Sequence, residues 1–322
     1  MPTDIRPIEP GDLDAAGALL AERHRQHRVE EPLLDPAYED RAGARAEIEK
    51  LLAADGAQGW TAFRDGSVVG YIVGIGKDAK LWGPNVWVEP AGHAAADRDV
   101  VRQLYAVAAA TWVADGRKNH HVLVPVSDAT LVDAWFSLDF GTQHIHAVRE
   151  NPPASFGVVP RSELVIRPPA REDISALAEL ELVLPKHSPL SPLFATVPIQ
   201  PLEEVRAEIE EDWGTPDFTW FVAEHEGKVI GEAVGCSITK SSVNAGLMRP
   251  VGASFLGYAA VFPEARGLGA GRALGEAYLA WSRDSGFACA WTDWRSTNLQ
   301  ADRTWRAIGF RPAFRRMHRV IA

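Results

Sequence analysis

Cysteine is scarce in this chain, whose 322 residues include only Cys236 and Cys289. Both lie in apolar, strand-like runs, so they give no basis for a disulfide framework or a metal site, and we expect buried, reduced thiols. Long apolar runs are missing too, since none approaches the ~18 residues that a membrane-spanning helix needs. The N-terminus has no signal-peptide pattern. These absences predict a cytoplasmic protein that has no membrane partner and no metal.

Positive charge is also in deficit. The chain has 33 Lys and Arg residues against 43 Asp and Glu residues, which gives a net charge of −10. Such a charge argues against a nucleic-acid partner, because nucleic acids attract basic proteins, and it is compatible with a cationic amine as ligand. The hydrophobic content of 46% and the charged content of 24% are ordinary for a globular protein.

The chain contains an internal repeat. The tripeptide Ile5-Arg6-Pro7 recurs 161 positions later as Ile166-Arg167-Pro168. At the same interval, the turn-containing segment Arg64–Gly70 recurs as His225–Gly231. Each copy has an ordinary size for one domain, so a chain of 322 residues suits two domains.

The boundary between the copies is predicted in residues 151–160, with the sequence NPPASFGVVP. This segment is rich in proline and has little helix signal, as is typical of a connection between domains. We therefore predict two domains, residues 1–155 and residues 160–322.

A glycine-rich turn lies between an apolar run, Ser254–Phe262, and an amphipathic stretch that follows Gly271. This pattern predicts a strand, a turn and a helix. Glycines allow the backbone to curl with its N–H groups pointing inward, and the positive end of the helix dipole favours an anion there. Arg266 and Arg272 flank the turn, so we expect it to hold a pyrophosphate. A P-loop is excluded because the turn has no lysine, and a dinucleotide-binding fold because too few residues follow to complete its sheet.

Two motifs resemble those of a known superfamily. The segment Arg266–Gly271 has the pattern Arg-x-x-Gly-x-Gly, which is similar to the coenzyme A signature of the GNAT superfamily of acyl-CoA-dependent N-acyltransferases. The segment Asn298–Phe310 resembles a second motif of that superfamily, Asn-x-x-Ala-x-x-x-Tyr-x-x-x-Gly-Phe, with Trp305 in place of the usual tyrosine. Together with a hairpin-like segment, Asp217–Gly235, the resemblance covers about residues 163–322.

The resemblance implies an α/β (α+β) fold with two tandem GNAT-like domains, each a mixed, mostly antiparallel central sheet flanked by helices. Residues 292–312 look like those of actinobacterial tandem members. The implied activity is N-acetyl transfer from acetyl-CoA to a primary amine of a small molecule, directly and within a ternary complex. A non-catalytic acyl-CoA-binding sensor or structural protein is the alternative, because Trp305 replaces the usual tyrosine. We expect a monomer or a homodimer.

The resemblance also assigns residues to the cofactor. The strand before the turn and the next strand are expected to splay apart, with the acyl group in the gap and the pantetheine arm along the first strand. The residues that the resemblance places at acetyl-CoA are Val261, Arg266, Gly267, Leu268, Gly269, Ala270, Gly271, Arg272, Asn298 and Trp305.

Acyl transfer to an amine requires a base, because the amine arrives mostly protonated. Asp293, at the end of a predicted strand, and Glu232, within an apolar strand, are the two candidates. A turn cap for Asp293 and an exposed strand edge for Glu232 remain open as alternatives. Tyr258 is the candidate acid for the leaving thiolate, because the indole of Trp305 is only a hydrogen-bond donor. Protonation by water, unaided departure of the thiolate, or a packing role for Tyr258 are the alternatives.

The first copy lacks the features of the glycine-rich turn. Where the second copy has Pro263–Gly271, the first has Pro90–Asp97, with His93 at the position of the arginine and no later glycines. Alanine resists a positive φ, and the carboxylate of Asp97 would repel a phosphate. We therefore predict a first domain without a coenzyme site, acting as a scaffold. Contacts to the amine are expected from residues 237–253.

Overall fold

The computed structural model describes residues 3–79, 82–156, 163–241 and 244–322. Of the predicted domain boundary, residues 157–160 lie outside the described residues, as do residues 242 and 243 of the loop in which we expect substrate contacts. Within the described ranges, no helix combines the length and the apolar character that crossing a membrane requires.

The chain forms two compact units that are interleaved in the sequence. Unit 1 contains residues 1–146, 245–250 and 312–322, and unit 2 contains residues 147–244 and 251–311. The units therefore differ from the two predicted domains. Residues 147–155 belong to unit 2, whereas residues 245–250 and 312–322 belong to unit 1. The domain boundaries stay a prediction about the two homologous copies.

Both copies contain helices and strands. The first copy forms β1 (Asp4–Pro7), α1 (Leu13–Glu30), α2 (Arg41–Leu52), β2 (Ala57–Arg64), β3 (Ser67–Ala79), β4 (Gly83–Val88), β5 (His93–Ala95), α3 (Arg98–Ala114), β6 (Asn119–Pro125), α4 (Ala129–Phe136) and β7 (Gly141–Glu150). The second copy forms β8 (Leu164–Arg167), α5 (Ile174–Glu181), α6 (Val183–His187), α7 (Leu202–Asp212), β9 (Phe218–His225), β10 (Lys228–Ser237), β11 (Ala253–Val261), α8 (Ala270–Asp284), β12 (Cys289–Arg295), α9 (Leu299–Ala307) and β13 (Arg311–Val320).

Each unit is built around a mixed, mostly antiparallel sheet. In unit 1 the strand order is β1-β2-β3-β4-β6-β13, and in unit 2 it is β12-β11-β10-β9-β8. The pairs β4–β6 and β11–β12 are parallel, whereas β13–β6, β10–β11 and β9–β10 are antiparallel. The fold class implied by the resemblance is therefore confirmed.

The two copies share a hairpin whose turn is determined by its own residues. Asp65 and Gly66 connect β2 to β3, and Glu226 and Gly227 connect β9 to β10. All four have positive φ, with values of 52° and 76° in the first turn and 49° and 73° in the second. Two consecutive residues with positive φ make the type I′ turn, whose twist matches that of the flanking strands. The predicted hairpin at this position is confirmed.

The sheet of unit 2 has a helix layer on each face. Gly231 and Gly235 allow α8 to lie close to β10, because a Cβ atom there would approach Leu274 and Tyr278 to 3.3 and 2.9 Å. On the other face, α5 and α7 cover Val222 in one apolar cluster. Glu232 lies opposite Val222 in the register, and directly opposed residues share a face, so Glu232 points toward the α5 layer.

The core of unit 1 lies between its sheet and helices α3 and α4. Trp112 of α3 and Trp135 of α4 are almost completely buried, at 1% and 0% exposure. The ring of Tyr105 packs edge-on against both indoles. These large rings contribute much of the buried apolar area of this core.

Candidate active site

Strand β11 contains a bulge at the middle of the sheet. Its register with β10 places Tyr258 opposite Val234 and Leu256 opposite Gly235, so Gly257 is an extra residue on β11. An extra residue bends its strand and interrupts the ladder. Gly257 is also exposed, although it lies within a strand.

The bulge coincides with the point at which β11 and β12 separate. The two strands pair in parallel from Ala253 opposite Cys289 to Leu256 opposite Thr292. Both strands continue further, to Val261 and Arg295, but within the described residues their pairing ends at Leu256. A gap between the strands therefore opens at the bulge, as the resemblance implies.

A cavity of about 410 Å³ lies between the end of β11 and the start of α9. It is bounded by the last residues of β11, the glycine-rich turn, the start of α9, and residues of α6 that include Val183 and His187. Nine of the ten residues that we predict for the cofactor line it, and Leu268 is the exception. The side chain of Leu268 is 43% exposed. The structure thus brings together residues from three separate segments of the sequence.

The glycine-rich turn has the geometry of an anion-binding helix start. Gly267 and Gly269 have φ values of 93° and 84°, in the left-handed region that side chains avoid. Gly269 immediately precedes α8, and no described side chain caps the N-terminal N–H groups of this helix. These groups and the helix dipole favour an anion. Arg266 is exposed beside the turn, and the Nε of Arg272 lies 2.8 Å from Oε1 of Glu276.

Asn298 and Trp305 form the opposite wall of the cavity. The side-chain carbonyl of Asn298 accepts a hydrogen bond of 3.2 Å from the N–H of Ala301 and caps α9. Trp305 is only 8% exposed, and its ring packs edge-on against Phe310. Trp294 of β12 is buried and donates a hydrogen bond to Asp302.

Tyr258 and Glu232 lie together beneath the C-terminal end of α5. The Tyr258 hydroxyl donates to the carbonyl oxygens of Leu180 and Glu181, at 2.8 and 3.1 Å. Glu232 has no exposed surface, and neither carboxyl oxygen has a hydrogen-bond partner among the described residues. Burial, and then the charge of Glu181, raise the pKa of Glu232 well above its usual value. Burial also raises the pKa of Tyr258.

The position of Glu232 excludes the alternative of an exposed strand edge. Strand β10 lies between β9 and β11, and Glu232 pairs with Val222 on one side and with Ala260 on the other. Asp293 lies on β12, one residue beyond the last pairing with β11. None of Glu232, Tyr258 and Asp293 lines the cavity itself, although Ala260, directly opposite Glu232, does.

Glu181 is a titratable group at the site that sequence reasoning missed. It is the last residue of α5, and its carboxyl group is largely buried. Burial, with a further contribution from Glu208, raises the pKa of Glu181 to about 7. One signal in the sequence was available: Glu181 is the acid between Leu180 and Leu182 in an apolar run, and both leucines are buried.

In unit 1, protein groups occupy the space that corresponds to the gap. The parallel pairing of β4 with β6 ends at Val88, and beyond it Nε2 of His93 lies 2.9 Å from the carbonyl oxygen of Leu123. The guanidinium of Arg23 is buried and donates to the carbonyl oxygens of Pro90, at 2.5 Å, and His93. Buried side chains of unit 1 thus bond backbone carbonyls in the region that follows the paired part of β4 and β6.

The start of α3 also differs from the start of α8. The carboxylate of Asp97 accepts a hydrogen bond of 3.0 Å from the N–H of Val100 and pairs with Arg64 at 2.9 Å. A helix start that is already capped by a carboxylate has little attraction for a phosphate. This geometry supports the prediction that the first domain lacks a coenzyme site.

Comparisons with known proteins agree with this geometry. Residues 187–310 match the sequence model of the Acetyltransferase (GNAT) family. The fold of nearly the whole chain is similar to that of a GCN5-related N-acetyltransferase from Sphaerobacter thermophilus, with a TM-score of 0.59 and 14% identity over 98% of this chain and 94% of that one. No curated protein matches the sequence.

Two further solved structures have the same fold. A tandem GNAT protein from the clavulanic acid biosynthesis pathway has a TM-score of 0.50 and 15% identity, over 98% of this chain and 97% of that one. A GCN5-related glucosamine N-acetyltransferase region of a fungal multi-domain β-N-acetylglucosaminidase has a TM-score of 0.56 and 13% identity, over 98% of this chain and 38% of that one. Residues 187–310 are thus similar to the Acetyltransferase (GNAT) family, and nearly the whole chain has a fold similar to that of a tandem GNAT protein.

Proposed function

We propose that this protein is an N-acetyltransferase that moves the acetyl group of acetyl-CoA to a primary amine of a small molecule, using a single site in unit 2. The observation that carries this proposal is the cavity of about 410 Å³, which joins an anion-binding helix start to the part of β11 that no longer pairs with β12. A pyrophosphate at one end and a thioester at the other match these two environments.

The cofactor would be held mainly by backbone groups. The N–H groups of the turn, with Arg266 and Arg272, would hold the pyrophosphate, since preorganised amides and guanidinium groups bind such anions well. Beyond Leu256, the edge of β11 toward β12 is unpaired within the described residues, so its backbone can pair with the amides of pantetheine as far as Val261. Asn298 and Trp305 would contact the pantetheine arm from the opposite side of the cavity.

The reaction needs one proton acceptor and balances without a covalent enzyme intermediate. An ammonium group first loses a proton to a carboxylate, for which Glu232 and Asp293 are the candidates. The free amine then forms a C–N bond with the thioester carbon, and the C–S bond breaks. The surplus proton on nitrogen passes to the thiolate, either directly or through water, and the products are an amide and free coenzyme A.

Two groups have roles that depend on local geometry. The bulge at Gly257 interrupts the ladder, and a backbone N–H left out of the ladder there would be a donor for the oxyanion of the tetrahedral intermediate. Tyr258, the candidate acid, would protonate the thiolate only by giving up its hydrogen bonds to Leu180 and Glu181. We therefore rank Tyr258 below water in that role.

A non-catalytic acyl-CoA-binding protein is the second candidate function. The observation that favours it is Trp305, which stands where the superfamily usually has a tyrosine and which lines the cavity. An indole cannot act as a proton donor to a thiolate. In that case acetyl-CoA would bind but no amine would be acetylated.

Calorimetric titration with acetyl-CoA tests the proposal. We expect one site per chain in the native protein, and we expect Arg266→Ala and Gly269→Asp to abolish or strongly weaken binding. Arg102→Ala, which changes an exposed arginine of α3, is the matched control and should bind normally. Absence of binding in the native protein would refute the proposal, and two sites would refute the assignment to unit 2 alone. Binding without thiol release, across a panel of amines, would favour the second candidate.

A further inference from the structure

A second cavity lies in unit 1, on residues that the proposed function does not use. Its volume is about 350 Å³, within the range of ~300 to 1,000 Å³ that is usual for small-molecule sites. It is bounded by one face of α1, the end of β5 and the two residues after it, and the starts of α3 and α4. We call it the unit 1 cavity. The lining residues that carry a charge are Glu22, Arg23, Asp97, Arg98 and Asp128.

The unit 1 cavity has the same place in its copy as the cavity of about 410 Å³ has in unit 2. Each lies at the starts of two helices, α3 and α4 in one copy and α8 and α9 in the other. Asp128 caps α4 by accepting a hydrogen bond of 2.8 Å from the N–H of Leu131, as Asn298 caps α9. A carboxylate thus stands in unit 1 where unit 2 has a neutral amide. Because Asp97 caps α3 as well, the unit 1 cavity is unsuited to the phosphates of coenzyme A.

Three of the five charged side chains already form ion pairs with other residues of unit 1. These pairs are Glu22 with Arg25, Asp97 with Arg64 at 2.9 Å, and Arg98 with Asp133 at 3.1 Å. The other two side chains are those of Arg23 and Asp128, and neither forms an ion pair with any residue that the structure describes. The cavity is therefore lined by one positive and one negative group that are free to pair with a ligand.

Arg23 is a buried cation with unused hydrogen-bond donors. It is only 8% exposed, and its guanidinium donates to the carbonyl oxygens of Pro90 and His93. Its Nε has no partner among the described residues. A guanidinium has five N–H bonds, so donors remain for a ligand in the cavity that Arg23 lines. Burying a charge without a counter-ion is costly, and an anionic group bound in the cavity would supply that counter-ion.

Asp128 is the negative group of the same cavity. It is half-buried, and one of its carboxylate oxygens, Oδ1, accepts the hydrogen bond from Leu131. Burial lowers the pKa of Arg23, and the charges of Tyr71 and Asp128 act in the opposite direction. Arg23 and Asp128 are therefore near enough to interact, although they form no ion pair. A ligand that carries charges of both signs would satisfy the two groups together.

Apolar side chains make up a further part of the lining. Leu19 of α1, Val101 of α3 and Leu131 of α4 all bound the cavity. Val101 and Leu131 are buried, at 6% and 5% exposure, and Leu19 is half-buried. An apolar group of the ligand would be removed from water against these three residues, which is favourable.

We propose that the unit 1 cavity binds a free amino acid with an apolar side chain. The carboxylate of the amino acid accepts hydrogen bonds from Arg23, and its ammonium group donates to Asp128. Its side chain contacts the three apolar residues of the lining. The unit 1 cavity shares no lining residue with the cavity that we assign to acetyl-CoA, and the inference does not depend on that assignment.

Three compounds with the same branched alkyl chain test the inference by calorimetric titration. L-Leucine has both charged groups, 4-methylpentanoate lacks the ammonium group, and 3-methylbutylamine lacks the carboxylate. The Kd of L-leucine should be at least about tenfold lower than that of either analogue, because each analogue loses one hydrogen-bonded charge pair. No binding of L-leucine, or equal affinity for L-leucine and one of the analogues, would overturn the inference.

One conservative variant locates the ammonium group of the ligand. Asp128→Asn retains a residue that caps helices well and removes the negative charge. It should weaken L-leucine binding by about tenfold or more and should not weaken the binding of 4-methylpentanoate. Asp40→Asn is the matched control, because Asp40 caps α2 in the same unit and does not line the cavity. Equal effects of the two substitutions on L-leucine binding would reject the cavity as the site.

The same titration in Arg266→Ala distinguishes the unit 1 cavity from the candidate active site. This variant is expected to lose acetyl-CoA binding, and it should bind L-leucine as tightly as the native protein does. Retained L-leucine binding supports a separate site in unit 1, even if the native protein binds no acetyl-CoA and the proposed function fails. Loss of L-leucine binding in Arg266→Ala would place the amino acid in unit 2 and reject the inference.

Discussion

Replacing Glu181 with glutamine should stabilise the protein at alkaline pH and have little effect at acidic pH. The substitution keeps the shape of the side chain and removes a carboxyl group whose pKa is raised from 4.5 to about 7. Between these two values the folded state holds a proton that the unfolded state has lost. The contribution of Glu181 to stability is therefore complete below pH 4.5 and is lost as the pH rises through 7.

The size of the effect follows from the two pKa values. The difference between 4.5 and about 7 corresponds to about 3 kcal/mol of unfolding free energy once Glu181 is ionised in both states. Urea denaturation at pH 5 and pH 8 should show Glu181→Gln gaining about 2.5 kcal/mol relative to the native protein between those conditions, because pH 5 already lies above the unfolded pKa.

Glu179→Gln is the matched control for this experiment. Glu179 lies on the same helix, α5, but it is exposed. Both glutamates are in the last turn of the helix, so both substitutions remove a similar unfavourable interaction with the helix dipole. We expect the difference between Glu179→Gln and the native protein to be nearly the same at pH 5 and pH 8. The same constant difference for Glu181→Gln would refute the reasoning about its burial.

Two other substitutions test the packing around the candidate site in unit 2 and the buried hydrogen bonds of the corresponding region in unit 1. Gly275→Ala would place a Cβ atom 2.6 Å from Ile308 and 2.9 Å from the indole of Trp305, so it should cost about 1 to 3 kcal/mol in urea denaturation and weaken acetyl-CoA binding. Unchanged stability would show that α8 and α9 can readjust freely. Tyr71→Phe removes a buried hydrogen bond of 2.7 Å to the carbonyl oxygen of Ala91 and should cost about 1 to 2 kcal/mol. It should leave acetyl-CoA titration unchanged, and altered affinity would contradict a site confined to unit 2.

The sequence alone was sufficient to predict the turns, because neighbouring residues determine the backbone conformation there. Glu226 and Gly227 define a hairpin turn by their own conformational preferences, and Gly267 and Gly269 do the same for the turn before α8. The mixed sheet followed from the resemblance of the motifs attached to these turns. Each of these features depends on a few consecutive residues.

The remaining features depend on residues that are distant in the sequence. The raised pKa of Glu181 depends on its burial and on Glu208 of α7, and its backbone carbonyl accepts a hydrogen bond from Tyr258 of β11. No pattern of neighbouring residues in the sequence predicts the burial of Glu181 by those elements. For the same reason Glu232, although singled out by its apolar neighbours, could not be distinguished in advance from an exposed edge residue.

The membership of residues 312–322 in unit 1 affects how the protein can form during synthesis. Strand β6 pairs along its whole length with β13, from Pro125 opposite Phe314 to Asn119 opposite Val320. A ribosome must therefore complete all of unit 2 before the sheet of unit 1 can be closed. Until then the β13-facing edge of β6 is an open template for pairing with other chains, which is a recognised route to aggregation. A fragment that ends at residue 155 would keep that edge permanently, so a single cut between the copies does not yield the two units.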